Sequence, residues 1–352
     1  MQSNMTQMLQ MMDRPAFFVL DGIICDANQA ALGRMIEVGT SIAPLLSTGK
    51  AEYEAFTGGW MYLTVSPGGV SANACVRRVD AYDVFVLEPE NTAAEYQALA
   101  LAAQELRTPL GRILSMTDWL FPSLDLPEGS PAAEQVNRIN RGLHQMLRII
   151  NNMSDAARYT TSAPVLHTRD VNAVLAEFFE QAAPLCEYSG IHLEYSGLPA
   201  PVFSQVDSEQ LERCVYSILS NALKHTPSGG TVSAALTKRG NTLYLTVTDT
   251  GTGIDPEKMG DVFTRFLREP SVNDSGLGLG MTLIRACANT HGGTVLIAPS
   301  EGKGMKLTIS LPIQLDTTQL SSPKFTVDYT GGRSLGMIEL SEHLPHKLYQ
   351  PK

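Results

Sequence analysis

The sequence predicts a multidomain α+β chain: a small α+β module, a two-helix hairpin, an α/β sandwich, and a tail. Three observations lead there. At 352 residues the chain exceeds one ordinary core. Its apolar period turns helical at Tyr96 and stays helical, with one break, to Ala157. Beyond "TTSAP" at 160–164, helical and strand patterns alternate, as in a sheet covered by helices. A hydrophobic fraction of 43% against 18% charged residues is globular and excludes a disordered chain. The net charge of -10 argues against a nucleic-acid partner, because a phosphate backbone needs a basic face.

Residues 13–88 carry the strand-like pieces "AFFVL", "WMYLTV" and "DVFVLE", with a short helical stretch around "ANQAALGRMIEV". The run "PAFFVLDGIIC" is short and interrupted by Asp21, so it reads as a core strand pair rather than a membrane span or signal peptide. The five cysteines, Cys25, Cys75, Cys186, Cys214 and Cys287, show no metal-type or redox-type spacing and read as buried thiols. The expectation is a cytoplasmic protein with no membrane span.

From Tyr96, apolar or small residues recur at Leu99, Ala103, Leu106, Leu110, Ile113, Thr117 and Leu120. After "FPSLDLPEGSP" the pattern resumes at Val136, Ile139, Leu143, Met146, Ile150, Met153 and Ala157. Ser130–Pro131 is the expected helix start, with Pro at the first helical position and Glu134 in the first turn. Two narrow heptad seams are better buried in a four-helix bundle of two chains than in a lone hairpin, which predicts a homodimer. The alternative is a hairpin packed on its own neighbouring domain. Next come a helix over Val171–Tyr188, the strand "IHLEY", and the helix "SEQLERCVYSILSNALKH" after Asp207. The hairpin strands "TVSAALT" and "TLYLTVTD" flank "KRGN", and a helix from Gly278 precedes the strands "TVLIA" and "MKLTISL".

Three stretches carry chemistry. "SNALKHTPSGG" places Asn221, Lys224 and His225 at a helix end. Asn221 and Lys224 share a face, where an amide oxygen suits a metal ion and an ammonium suits phosphate. "DTGTGIDPE" follows a strand, with Asp249 at its edge and Gly251 and Gly253 permitting close approach of a ligand. "SGLGLGMTLIRACANTHGG" opens a helix with Gly276, Gly278 and Gly280, turning backbone N–H groups toward an anion. Singly, such stretches are ordinary turns and caps.

In this order and spacing they resemble the N, G1 and G2 boxes of the Bergerat-type ATP-binding domain of sensor histidine kinases. "VFTRFLRE" resembles the F box, "HGGTVLIAPSEGKGMKLTISLPI" the closing strands, and "QELRTPL" the phosphoacceptor box "HELRTPL". The opening "DGIICDANQAA" resembles the start of a PAS sensor domain; any small α+β domain is the alternative. The implied division is a PAS-like module over 1–92, a dimerisation hairpin over 93–160, an ATPase domain over 161–314, and a tail over 315–352. The resemblance implies ATP and Mg²⁺ as ligands. Asn221 would hold Mg²⁺, Lys224 would meet phosphate, and His225 would pack near the nucleoside. Asp249 would accept from the adenine amino group, beside Gly251 and Gly253. Arg268 would reach the phosphates from a lid, and Gly276 and Gly278 would cradle them. The pattern departs from the family at Ser217, where a second Asn is usual, and at Asp274, where Gly is usual.

The larger departure is Gln104, at the phosphoacceptor position. A neutral imidazole has a lone pair free for attack on phosphorus, whereas an amide nitrogen's lone pair is delocalised into its carbonyl. Phosphate acceptance at residue 104 is therefore expected to be absent. His144 is expected to be an exposed bundle residue, and His167 to lie beyond the bundle. Glu105, Arg107, Thr108 and Pro109 keep the rest of the box. The family associates Glu105 and Thr108 with removing phosphate from a response regulator receiver domain, where a hydroxyl orients water; the alternative for Thr108–Pro109 is a bend in a helix. The implied protein belongs to two-component signal transduction and phosphorelay: a phosphatase or an ATP-gated regulator. A non-catalytic scaffold pairing with an intact kinase is the second reading, and a kinase acting on another protein's side chain the third. The tail "FTVDYTGGRSLGMIELSEHLP" is apolar enough to dock, on the ATPase domain or on the sensor module.

Overall fold

The computed structural model describes residues 6–7, 9–88, 92–253, 279–300, 302–315 and 332–350. Short, largely buried apolar runs shape the N-terminal module. Strands β1 (Ala16–Leu20), β2 (Ile23–Ala27), β3 (Trp60–Val65), β4 (Ala72–Val79) and β5 (Tyr82–Leu87) pair antiparallel in the order β2-β1-β5-β4-β3. Short helices α1 (Gln29–Leu32) and α2 (Lys50–Glu54) join them. Phe17 and Phe85 stack at 4.9 Å between centroids in the module's core, with Ile24, Met61 and Leu63. Asn28 organises the entry: its Oδ1 accepts from Ala16 N and Ala31 N, while its Nδ2 donates to the carbonyls of Met12 and Arg14. Of the five thiols expected to be buried, Cys186, Cys214 and Cys287 are, Cys75 is half-buried, and Cys25 lies exposed on β2.

The stalk is α3 (Thr92–Ser123) and α4 (Pro131–Thr161). Ser130 caps α4 as expected, its Oγ accepting from Ala133 N at 3.2 Å, with Pro131 at the first helical position. The expected seam divides in two. Its members Ala103, Leu110, Leu143, Ile150 and Met153 pack between the helices, joined there by Leu114 and Leu147, which the expected seam did not include. Leu106, Ile113 and Leu120 of α3, with Ile139 and Met146 of α4, instead lie exposed on this chain. His144 departs from expectation: it is buried, its Nδ1 is 2.8 Å from Asn140 O, and the Tyr349 ring lies edge-on to it. Burial pushes its pKa below the usual range.

The C-terminal domain contains β6 (His167–Asp170), α5 (Val171–Tyr188), β7 (His192–Ser196), β8 (Phe203–Val206) and α6 (Ser208–His225). It continues with β9 (Thr231–Arg239), β10 (Thr242–Asp249), α7 (Leu279–Thr290), β11 (Val295–Pro299) and β12 (Met305–Pro312). The strand order is β11-β12-β10-β9-β7, with only β7–β9 parallel among the described strands. Asp207 caps α6 through Gln210 N, and Asp170 caps α5 through Asn172 N. The β6–β8 pair forms a small separate sheet.

The two sheets are one. Strand β3 pairs antiparallel with β11, Tyr62 opposite Val295 and Trp60 opposite Ile297, so ten strands run continuously through both domains. Trp60 and Tyr62 join the core of the C-terminal domain. Arg285 of α7 pairs with Glu88 and lies 4.7 Å over the Tyr62 ring, and Asn289 donates to Asn73 at 2.8 Å. Gly59 permits the approach: its φ is +90° and a Cβ there would run into Ile297 O. Gly59→Ala is expected to open this junction. Hydrogen exchange measures it: amides at 60–62 and 295–297 should exchange faster, with β9 and β10 unchanged.

Candidate functional site

Helix α6 ends beside the end of β10, and glycines make the meeting possible. Thr252 N donates to His225 O at 3.1 Å, bringing the turn after β10 onto the last residue of α6. A Cβ on Gly251 would run into that same carbonyl and lie 2.7 Å from Asp249 Oδ1. Gly253 has φ of +66° and stands against Gly304. Asp249 is 7% exposed. Its Oδ1 accepts from Gly251 N at 2.9 Å and from Met305 N at 3.2 Å. Two backbone donors fix the carboxylate's orientation and leave Oδ2 without a partner among the described residues.

Asn221, Lys224 and His225 occupy the final turn of α6, Asn221 half-buried and the other two exposed. The helix stops at Thr226, whose Oγ1 donates to Ala222 O at 2.8 Å. Helix α7 begins at Leu279 and crosses α6 one turn earlier, where Gly280 faces Ser217. The expected phosphate-side residues Arg268, Gly276 and Gly278, together with Asp274, lie outside the described residues. Those described therefore bring together Asn221, Lys224, His225, Asp249, Gly251 and Gly253. Gly304 was not singled out from sequence, yet a Cβ there would strike Asp249 O. Its only sequence signal was a glycine-rich turn before a strand.

The first turn of α7 also rests on the stalk. Leu279 packs with Leu99 against the cluster containing Ala103, and Tyr96 hydrogen-bonds Thr282. Ala103 is buried, whereas Gln104, Glu105 and Thr108 are exposed on α3. Gln104 and Thr108 lie one turn apart on one face. Arg107 points inward instead, its Nη2 donating to Asn151 Oδ1 of α4 at 3.0 Å. Among the described residues, no group of three or more His, Cys, Asp and Glu could hold a metal ion, and no helix is long and apolar enough to cross a membrane.

The donor set fits a nucleotide at one atom: a fixed carboxylate with a spare oxygen suits an exocyclic amino group, and the glycines let the backbone close tightly around that carboxylate. Asp249→Asn tests this directly. The amide keeps an acceptor for Gly251 N and Met305 N, but offers N–H where an acceptor is needed. ATP affinity should fall about tenfold to a hundredfold, from a loss of about 1–3 kcal/mol, with melting temperature nearly unchanged. Isothermal titration with a thermal scan reads both.

Comparison with known proteins agrees with this arrangement. Residues 206–315 match the model of the histidine kinase-, DNA gyrase B- and HSP90-like ATPases. Residues 94–162 match that of the His kinase A (phospho-acceptor) domain. The alginate biosynthesis sensor protein KinB of Pseudomonas aeruginosa is 27% identical over 72% of this chain and 42% of its own. The sensor-like histidine kinase R01002 of Rhizobium meliloti is 26% identical over 96% of this chain and 68% of its own. The sensor histidine kinase RppB of Synechocystis is 30% identical over 62% of this chain and 49% of its own. The chain thus spans from under half to about two thirds of the length of these relatives. The chain thus carries, in order, a segment matching the phospho-acceptor domain and one matching the histidine kinase-like ATPase domain, and each of these relatives is a sensor protein or a sensor or sensor-like histidine kinase.

Proposed function

We propose that this chain is a two-component signalling protein that binds Mg-ATP and has lost phosphate acceptance at residue 104. One observation carries the reading: an intact adenine-type carboxylate, Asp249 held by Gly251 and Met305, stands in the same chain as an exposed Gln104. Asp249, Gly251 and Gly253 take the adenine side, with His225 beside the nucleoside. Asn221 supplies the oxygen ligand for Mg²⁺, and Lys224 faces the phosphates. Arg268, Gly276 and Gly278 complete the phosphate side in this reading. The nucleotide would supply a transferable phosphoryl group, with the metal spreading its charge. The chain's own part is to bind and orient it.

Gln104 offers no nucleophilic lone pair, so the stalk keeps only positioning chemistry. Glu105 and Thr108, both exposed, are suited to orienting a water at the acyl phosphate of a receiver domain, which makes a response regulator the partner. The exposed apolar face of the hairpin supports a homodimer. Leu106, Ile113, Met116, Trp119 and Leu120 on α3 and Ile139, Met146 and Ile149 on α4 recur at helical spacing, Trp119 being 78% exposed. The domain limits follow from the sequence division, with the stalk over 93–160 and the ATPase domain over 161–314. The cytoplasm is the setting such a partner and nucleotide imply.

Gln104→His is the discriminating experiment. With labelled ATP, the unmodified protein should bind nucleotide and stay unlabelled, while the variant should gain acid-labile label. Strong labelling of the unmodified protein overturns the loss of phosphate acceptance. If the variant binds ATP without gaining label, the scaffold reading, a partner for an intact kinase, takes its place.

A further inference from the structure

Residues 332–350, remote in sequence from all they touch, thread a groove between α4 of the stalk and α5 and α6 of the ATPase domain. A five-residue helix, α8 (Leu335–Glu339), begins the contact. Ile338 is buried in the stalk cluster with Leu110, Leu143 and Leu147. Leu340, Leu344 and Tyr349 are buried in the ATPase core. At Gly336 a Cβ would lie 2.6 Å from Leu185 Cδ1 and 3.0 Å from Tyr216 Oη, so the segment passes close to both α5 and α6.

The stalk grips this segment largely through its backbone. Arg141 donates to Ser341 O at 2.9 Å and to Glu342 O at 2.7 Å, and Asn140 Nδ2 donates to Tyr349 O at 2.9 Å. From the ATPase side, Ser189 Oγ donates to His343 O at 3.2 Å. Charge completes the tie. Glu339, 1% exposed, pairs with Arg213 of α6 and lies 3.7 Å from Arg148 of α4. Glu342 meets Arg148 at 2.9 Å, and Arg213 meets Asp155 of α4 at 2.7 Å. One buried carboxylate thus joins an arginine from each domain.

We propose that residues 332–350 form a detachable strap that holds the ATPase domain on the stalk and keeps the first turn of α7 seated against Tyr96 and Leu99. The segment has no strand pairing of its own among the described residues, and long side chains hold its carbonyls as they would a bound peptide. Without it, the described ties between α6 and α4 are Arg213–Asp155, Arg148–Ser220 and the half-exposed Arg158–Glu209 pair. The Arg158–Glu209 pair contributes little on its own, and the buried Arg213 keeps only one of its two carboxylates. The inference rests on the groove alone and does not depend on nucleotide binding or on Gln104.

Hydrogen exchange on the full chain, on a chain ending at residue 331, and on that shortened chain with synthetic peptide 332–350 added provides the test. Shortening should speed exchange at least tenfold at the groove, in 137–148, and at the α7–stalk contact, in 96–103 and 279–282. Strands β9 and β10 should stay protected, and the peptide should restore the original pattern. Glu339→Lys in the full chain, which sets a third cation beside Arg148 and Arg213, should give the same pattern in part. Three results overturn the proposal. Protection at 96–103 and 279–282 that survives both changes shows that the segment does not seat α7. Loss of β9 and β10 protection on shortening shows a core element rather than a strap. Failure of the peptide to restore the pattern shows that the segment does not detach.

Discussion

Helix α6 is buried on two sides, and the rest of the molecule is arranged around that constraint. One stripe, with Leu211, Val215, Ile218, Leu219 and Leu223, lies in the core against the sheet. The opposite side, with Arg213, Ser217 and Ser220, is also shielded from water. A guanidinium at 5% exposure is tolerable only with carboxylates at hand. Asp155 from the stalk and Glu339 from the C-terminal segment supply them, although burial works against ionisation of both. The small residues Ser217 and Ser220 let α7 and Arg148 approach closely. At its last turn, Asn221, Lys224 and His225 emerge. The placement of the candidate site is thus a by-product of how completely the helix is enclosed.

Local signals made much of this legible in the sequence. Asp207 before an apolar helical run, Ser130–Pro131, and "KRGN" between alternating strands each declare themselves within a few residues, and each was found where expected. The position of Asp249 at a strand end was legible because the alternating run stops there at Asp-Thr-Gly. What remained hidden depends on distant pairing. Nothing near Trp60 announces that β3 will pair with β11, because edge strands carry no label for their partner. His144 read as exposed because it lies off the expected seam; Tyr349, which covers it, is contributed from the far end of the chain. The docking of residues 332–350 was hidden for the same reason.

The stalk shows how little of a scaffold one exposed position carries. Gln104 is exposed, so its side chain can vary without disturbing Ala103 beside it or the Arg107–Asn151 bond one turn away. Helix geometry, the α7 contact and the Asp249 carboxylate are separate features with separate causes. The chemistry offered at position 104 can therefore vary while these mechanical connections stay in place.

The continuous ten-strand sheet has a consequence for how the molecule tolerates dissection. Each domain uses the other to cover a strand flank that would otherwise present open hydrogen-bonding groups to solvent. Cutting the chain between them uncovers "WMYLTV" on one fragment and "VLIAP" on the other, both apolar and both short of a partner. Fragments made that way carry a built-in tendency to self-associate that the whole chain has no occasion to show.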